Sequence, residues 1–359
     1  MKNYARQQRA LRRLGRLLLC LAPALSLLAA STASPAVHAS QAGRATVTQA
    51  VMQEALPALA MKPVPAPETL KAFTQQMIGQ LSANAPFKEW KDAATEVYPL
   101  GPGTRSWLVN VMDGGQRIGY LIISAADNGS YLLSEYGAGT DGLPYSMNEL
   151  RQYLVQQGLI PATSSGTIKL KALYAPLLPV WELTIGHQTV YLNASVPEVL
   201  PWTSKEAERI LSVLPDSTAV LSSKADQLRA PLPALLGGGQ DDPYADLLWL
   251  TAPALKNINE ASLTALLQQR GSLAFQSAGH NDALGAPFMI TGSQRWLKAD
   301  AAGGSAGNEP AVVYAAAGPG GLRFLPLGAL QHAGTFHEPP APLPGEAVLG
   351  SAPSPGSSR

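Results

Sequence analysis

Cysteine is almost missing from this 359-residue chain: Cys20 is the only one. It lies in a segment that reads as a removable leader, so the mature chain is expected to hold neither a disulfide nor a thiol nucleophile. Stability must then come from packed cores, which a chain of this length can build. Membrane-length apolar runs are missing too. The stretch from Leu17 to Ala30 is about 14 residues long and contains Pro23, whereas a spanning helix needs about 20 apolar residues. Charge is sparse, at 14% of residues, and histidine is scarce, at five.

The N-terminus explains that apolar run. Lys2, Arg6, Arg9, Arg12, Arg13 and Arg16 precede it and no acidic residue occurs before Glu54, the arrangement of a secretory signal. Val37-His38-Ala39 places small residues at the two positions a signal peptidase reads, so cleavage is expected after Ala39. A cleaved signal is preferred to a retained anchor. Cys20 follows Leu17-Leu18-Leu19 and lacks the small residue a lipoprotein signal needs before its cysteine. Arg12-Arg13 suggests the twin-arginine route, but Gly15 and Arg16 stand where that signal wants apolar residues. The leader and composition resemble those of exported bacterial proteins.

Removing the leader changes the charge. Six of the 26 basic residues leave with it and none of the 25 acidic ones, so twenty basic face 25 acidic residues and the net charge falls to −5. A mildly acidic product argues against nucleic acid as a partner, because phosphate binding relies on clustered Lys and Arg.

Residues 40–66 read as a lead-in with one short helix around Val47 to Leu56, broken by the prolines that follow. From Pro67, the spacing of Leu70, Phe73, Met77, Ile78 and Leu81 predicts one face of a helix. Strands are predicted at Glu96 to Leu100, Ser106 to Met112, Ile118 to Ala125 and Tyr131 to Tyr136, with Asp113-Gly114-Gly115 and Asp127-Asn128-Gly129 as turns. Tyr120-Leu121-Ile122-Ile123 is apolar without a break, which predicts a strand covered on both faces. Ser146 and Glu149 form a capping box, with Tyr145 and Leu150 placed as a staple, for a helix from Met147 to Gln157 ended by Gly158. Strands at Ile168 to Tyr174, Val180 to Ile185 and Thr189 to Asn193 complete a first α+β domain over 67–196.

Residues 197–243 combine a short helix, capped by Thr203 and Glu206, with a proline- and glycine-rich remainder, and read as a linker. A second, smaller α+β domain is expected over 244–337. It has a strand at Leu247 to Leu250, a helix capped by Asn259 and ended by Gly271, and strands at Ser272 to Ser277, Phe288 to Thr291, Ala311 to Ala316 and Leu322 to Leu325. Residues 300–309 read as a polar loop and 338–359 as a disordered tail rich in Pro and Ser. The fold class expected is therefore α+β: an antiparallel sheet packed with helices, followed by a second smaller α+β domain. No solenoid or propeller repeat is visible.

No residue stands out as catalytic, cofactor-binding or metal-ligating. No Gly-x-Ser-x-Gly elbow of the kind that presents a strained serine is found and Ser-x-x-Lys is absent. His187 falls in a hairpin turn. His332, His337 and Glu338 have no helical ligand spacing, and Asp241, Asp242 and Asp246 lack the glycine and distal glutamate of a calcium loop. Gly101-Pro102-Gly103 resembles a phosphate cradle only in part, since Ser106 replaces the third glycine and Pro102 removes an N–H. Glu135 and Glu182 are the strand carboxylates considered for acid–base chemistry, with a solvated face as the simpler role. Trp90, Trp107, Tyr131, Tyr136, Trp181 and Tyr191 suggest a recognition surface, although core packing explains them more simply.

Gly119 to Ala125 followed by Tyr131 to Tyr136 resembles the propeptides of streptopain-type cysteine peptidases and their small inhibitor relatives. Tyr174 to Leu183 is similar to the segment entering the final hairpin of PepSY-like domains. This resemblance covers residues 67–196 and implies a module that binds or restrains another extracellular protein, a peptidase above all. The helix, the strand Ser272 to Ser277 and Gly279-His280 resemble the C-terminal half of papain-like peptidases. That family uses its histidine as base for a cysteine, and none remains in the mature chain, so no catalytic role passes to His280. The reading is an exported, non-catalytic binding or regulatory module without a cofactor. The alternatives are an extracellular hydrolase using carboxylates and a structural envelope or spore-associated protein.

Overall fold

A computed structural model describes residues 59–103, 105–126, 129–159, 168–212, 228–256, 258–278, 286–298, 310–318 and 322–339. The segment read as a leader, most of the lead-in, the turn expected at Asp127-Asn128, His280, the loop expected over 300–309 and the tail expected beyond Pro339 lie outside them. Among the described residues no helix is long and apolar enough to cross a membrane.

The helix predicted after Pro67 is α1, Glu68–Leu81, and it buries Leu70, Phe73, Met77, Ile78 and Leu81. The meander follows as β1 (Ala94–Leu100), β2 (Ser106–Asp113), β3 (Gln116–Ala125) and β4 (Tyr131–Ala138), each antiparallel to the next. Strand β3 is covered on both faces, as its unbroken apolar run predicts. Leu121 and Ile123 pack under α1 with Trp90, while Tyr120 and Ile122 face the opposite core. Gly119 is required there, because a Cβ would lie 2.3 Å from the Trp90 ring.

Helix α2 (Met147–Gln156) starts as predicted: Ser146 Oγ accepts from the Glu149 N–H. A separate four-stranded sheet follows, β5 (Ile168–Ala175), β6 (Leu178–Ile185), β7 (Gln188–Asn193) and β8 (Glu198–Val199). It joins the first sheet at Gly101, whose N–H donates to Ala172 O at 2.9 Å and whose carbonyl accepts from Tyr174 N at 2.7 Å. The segment considered as a phosphate cradle thus serves as a hinge of backbone hydrogen bonds. Leu150 and Leu154 of α2 lie in one core with Trp181, Leu183 and Leu192 of the second sheet. Helix α3 (Ser204–Ser212) has the expected reciprocal cap, with Thr203 N donating to Glu206 Oε2 and Glu206 N to Thr203 Oγ1.

The segment read as a linker does not divide the sheet. Strand β4 pairs with β15 (Arg323–Pro326), and the order β1-β2-β3-β4-β15-β14-β13-β12-β16-β11 continues through a 12-stranded antiparallel sheet. The additional strands are β11 (Ala254–Leu255), β12 (Leu273–Ser277), β13 (Phe288–Lys298), β14 (Pro310–Ala317) and β16 (Gly334–His337). Within 197–243, β9 (Leu228–Pro231) and β10 (Leu235–Leu236) also pair with β13. The glycines that suggested flexibility are there for contact: a Cβ on Gly237 would lie 2.1 Å from Gly271 O, and one on Gly239 would lie 2.4 Å from Gly271 C. The core agrees, since Trp296, Tyr314 and Phe324 join α1, Val109 and Leu121 in one cluster.

Two local expectations change. Leu247 to Leu250 is no strand but leads into a 3-10 helix, Leu248–Thr251, because Asp246 Oδ1 takes the Leu248 N–H and only Trp249 is buried. After β15 the chain forms a helix the sequence reading did not foresee, α5 (Leu327–Ala333), and then β16. Helix α4 (Glu260–Arg270) matches its prediction, with a capping box between Asn259 and Ser262 and Gly271 at φ 80° as its stop.

Candidate functional site

Beside the seam between β4 and β15 lies a largely buried charged cluster. Glu135 on β4 is fully buried, and Arg323 on β15 has only 14% of its side chain exposed. The guanidinium meets the carboxylate in a fork, Nη2 to Oε2 at 2.9 Å and Nε to Oε1 at 3.4 Å, and Nη2 also donates to Leu177 O at 3.2 Å. Tyr120 donates to Glu135 Oε1 at 3.0 Å and Tyr174 to Oε2 at 3.5 Å. Burial works against the Arg323 charge, but Glu135 and the neighbouring phenols more than offset it and hold the guanidinium protonated. Burial first, then the Glu135 charge, raises the pKa of Tyr120 and Tyr174, which stay neutral donors. Every strong acceptor here has a donor, so the cluster is a saturated joint.

Arg323 also reaches a cavity of about 250 Å³. The cavity forms where four segments converge: the β5–β6 turn at Leu177, the β7–β8 turn from Asn193 to Glu198, the approach to α2, and the mouth of the large sheet at Phe288 and Ala317. Three carboxylates line it, Asp141, Glu149 and Glu198. Glu149 does not close the reciprocal half of the predicted capping box. Its Oε1 accepts from Gly142 N at 3.2 Å, which turns the carboxyl toward the 141–142 loop. Burial raises its pKa, with Asp141 adding to the effect and the Gly142 N–H and Arg117 opposing it. Glu198 Oε1 accepts from Ala286 N at 3.1 Å. The Ser195 hydroxyl oxygen is buried and has no hydrogen-bond partner, whereas Asn193 Oδ1 accepts from both Ser195 N and Val196 N.

Among the described residues the backbone is held in an uncommon conformation at two non-glycine positions, Leu177 in the cavity lining and Tyr145 just before α2. Leu177 has φ 65° and Tyr145 has φ 60°, where a side chain carries a steric cost. Both are over-determined by contacts. Leu177 O accepts from Arg323, and Tyr145 donates its hydroxyl to Leu173 O at 2.6 Å while its ring meets Trp181 edge-on at 5.1 Å.

The residues singled out from sequence scatter. Glu135 is buried rather than solvated, for the reason just given. Glu182 lies on the other sheet, where it pairs across strands with Lys171 at 2.7 Å. His187 is exposed in its turn and His332 is exposed on α5. His337 Nδ1 lies 3.0 Å from Ala252 O and Glu338 pairs with Arg270 at 3.1 Å, so they tie the end of β16 to the 3-10 turn and to the end of α4. Asp242 and Asp246 accept backbone N–H groups of their own turn. Among the described residues no group of three or more His, Cys, Asp or Glu could hold a metal ion. The aromatics are core: Trp90, Tyr136 and Trp181 are at most 1% exposed, and Tyr136 stacks on Phe324 at 5.0 Å.

Asp141, Glu149, Glu198 and Arg323 were not considered as site residues from sequence. Glu149 looked fully employed as a helix cap, and the others converge only through the strand order. Gly303-Gly304-Ser305-Ala306-Gly307 has the letters of a serine elbow and lies outside the described residues.

Comparison with family models, with curated proteins and with solved structures finds no match for this chain.

Proposed function

We propose that the protein is an exported, non-catalytic binding module that holds another extracellular protein at the acid-lined cavity. The observation that carries this reading is the cavity itself: Asp141, Glu149 and Glu198 line a recess whose lining cation, Arg323, already has its charge matched by Glu135. Recognition needs a few fixed polar groups in a concave site. Covalent hydrolysis needs a nucleophile within hydrogen-bond reach of a base, and Ser195 Oγ has no such partner. The leader supports export, the acidic mature chain argues against nucleic acid, and the propeptide-like strand pattern favours a peptidase as partner.

One observation favours a carboxylate hydrolase as a second reading. Glu149, with a pKa raised mainly by burial, shares its cavity with Asp141 and Glu198, and acid–base pairs work by such separation of environments.

One experiment separates the two. The full chain and its Glu149→Gln/Glu198→Gln variant are crosslinked in the producer's culture medium and assayed against peptide and glycoside substrates. The binding reading expects one protein captured by the native chain, lost with the variant, and no turnover by either. Turnover that disappears in Glu149→Gln alone overturns it in favour of the hydrolase.

A further inference from the structure

Exposed apolar side chains occur at the lip of the cavity. Val196, which lines it, is 65% exposed, and Val199 on β8 is 46% exposed. Tyr244 is 56% exposed, at the start of a turn that also presents Leu247, Leu248 and Leu250. That turn is anchored rather than loose: Trp249 is 2% exposed and its Nε1 donates to Pro243 O at 2.8 Å. Tyr244 lies close enough to Glu198 and Asp242 for both charges to raise its pKa, after burial as the leading cause. The turn therefore borders the acidic rim. Val196 and Val199 flank the lining residue Glu198, and exposed apolar side chains beside a polar rim fit an interaction surface.

Resting on the binding reading above, we propose that this surface receives a cationic, apolar-flanked segment of the partner: a Lys or Arg side chain enters the cavity, and its apolar neighbours cover Val196, Val199 and Tyr244. Charge complementarity selects the occupant. Arg323 is neutralised by Glu135, and Arg117, the other cation near Glu149, donates to Pro144 O at 2.7 Å with its guanidinium over the Tyr120 ring. The Arg117 charge acts on Glu149, so of the three lining carboxylates Asp141 and Glu198 keep negative charge that no lining cation matches. Size agrees with a side chain rather than a whole small molecule, since about 250 Å³ falls below the ~300–1,000 Å³ of small-molecule sites. Leu177, Pro287 and Phe288 offer apolar wall to the methylene stem of Lys or Arg, whose head would sit among the carboxylates. The buried, unpartnered Ser195 hydroxyl supplies a further acceptor for a cationic N–H.

Fluorescent nonapeptides test this, with Leu-Arg-Leu, Leu-Gln-Leu, Leu-Glu-Leu or Ser-Arg-Ser at their centre, titrated into the full chain and followed by anisotropy. The Leu-Arg-Leu peptide is expected to bind at least about tenfold more tightly than the others, weakening as salt rises. Glu149→Gln and Glu198→Gln should each lower its affinity about tenfold, and Val199→Ser should lower it several-fold through lost apolar contact, with melting temperatures checked in parallel. Equal binding of the Gln peptide, or affinity unchanged by the Glu variants, overturns the cationic occupant while leaving a binding module intact. Self-association of the chain that is lost in Val199→Ser assigns the lip to a second copy and equally overturns the proposal. Absence of binding by every peptide, together with turnover that depends on Glu149, removes the binding reading as well.

Discussion

Two charged regions lie side by side and behave in opposite ways. At the seam, Glu135 and Arg323 are buried, forked together and surrounded by phenol donors. In the neighbouring cavity, Asp141, Glu149 and Glu198 line open space, and the one cation that acts on them from outside the lining, Arg117, reaches Glu149 alone. Charge that the fold saturates specifies architecture, whereas charge that it leaves open is available to a partner. Arg323 belongs to both regions, and its commitment to Glu135 is what leaves the cavity acidic.

The largest effect is expected from breaking the saturated side. Arg323→Met leaves a buried carboxylate without its cation and should cost about 3–5 kcal/mol of unfolding free energy, read from urea denaturation. Adding Glu135→Gln removes the orphaned charge while keeping an acceptor for Tyr120, so the double variant should recover a large part of that loss. A double variant no more stable than Arg323→Met would show that the pair is not the joint described.

A smaller loss is expected at the glycine seam. Gly239→Ala drives a methyl group against backbone atoms of Gly271 and Ser272, and overpacking of this kind costs about 1–3 kcal/mol. Gly238→Ala, at φ 69° with open space around it, should cost less than Gly239→Ala. If 197–243 were a solvated linker, Gly239→Ala would be the milder of the two. A urea midpoint for each variant decides the order.

Local chemistry was legible wherever neighbours in sequence decide it. The caps at Ser146, Thr203 and Asn259 and the two-faced burial of Tyr120 to Ile123 follow from spacing alone. The strand order was not. Pairing of β4 with β15 joins residues 188 apart, and nothing in the pattern around Tyr136 or Phe324 names the partner. Proline and glycine misled for a physical reason: both suit a linker, yet they equally suit short strands at a sheet margin and a backbone-on-backbone contact. The cavity shared that fate. Glu149 looked like a helix cap because Ser146 does cap, and only the fold reveals that its carboxyl turns to Gly142 instead.

The smallest effect concerns that carboxyl, and it tests the open side of the comparison. Burial raises the Glu149 pKa in the folded chain, with Asp141 adding and the Gly142 N–H and Arg117 opposing. The folded state therefore holds this proton more tightly than the unfolded state does. The resulting stabilisation is full below the ordinary carboxylate pKa and is lost as pH rises through the higher folded value. Glu149→Gln should flatten this part of the profile in urea midpoints measured from about pH 4 to about pH 7. A cationic peptide in the cavity acts in the opposite direction, because a positive charge beside Glu149 favours its ionised form. Affinity for the Leu-Arg-Leu peptide should accordingly rise with pH across the same window in the native chain, and more weakly in Glu149→Gln. A native affinity that is independent of pH, or that falls as the carboxyl ionises, would mean that Glu149 does not face the bound cation and that the open charge at this site serves some other contact.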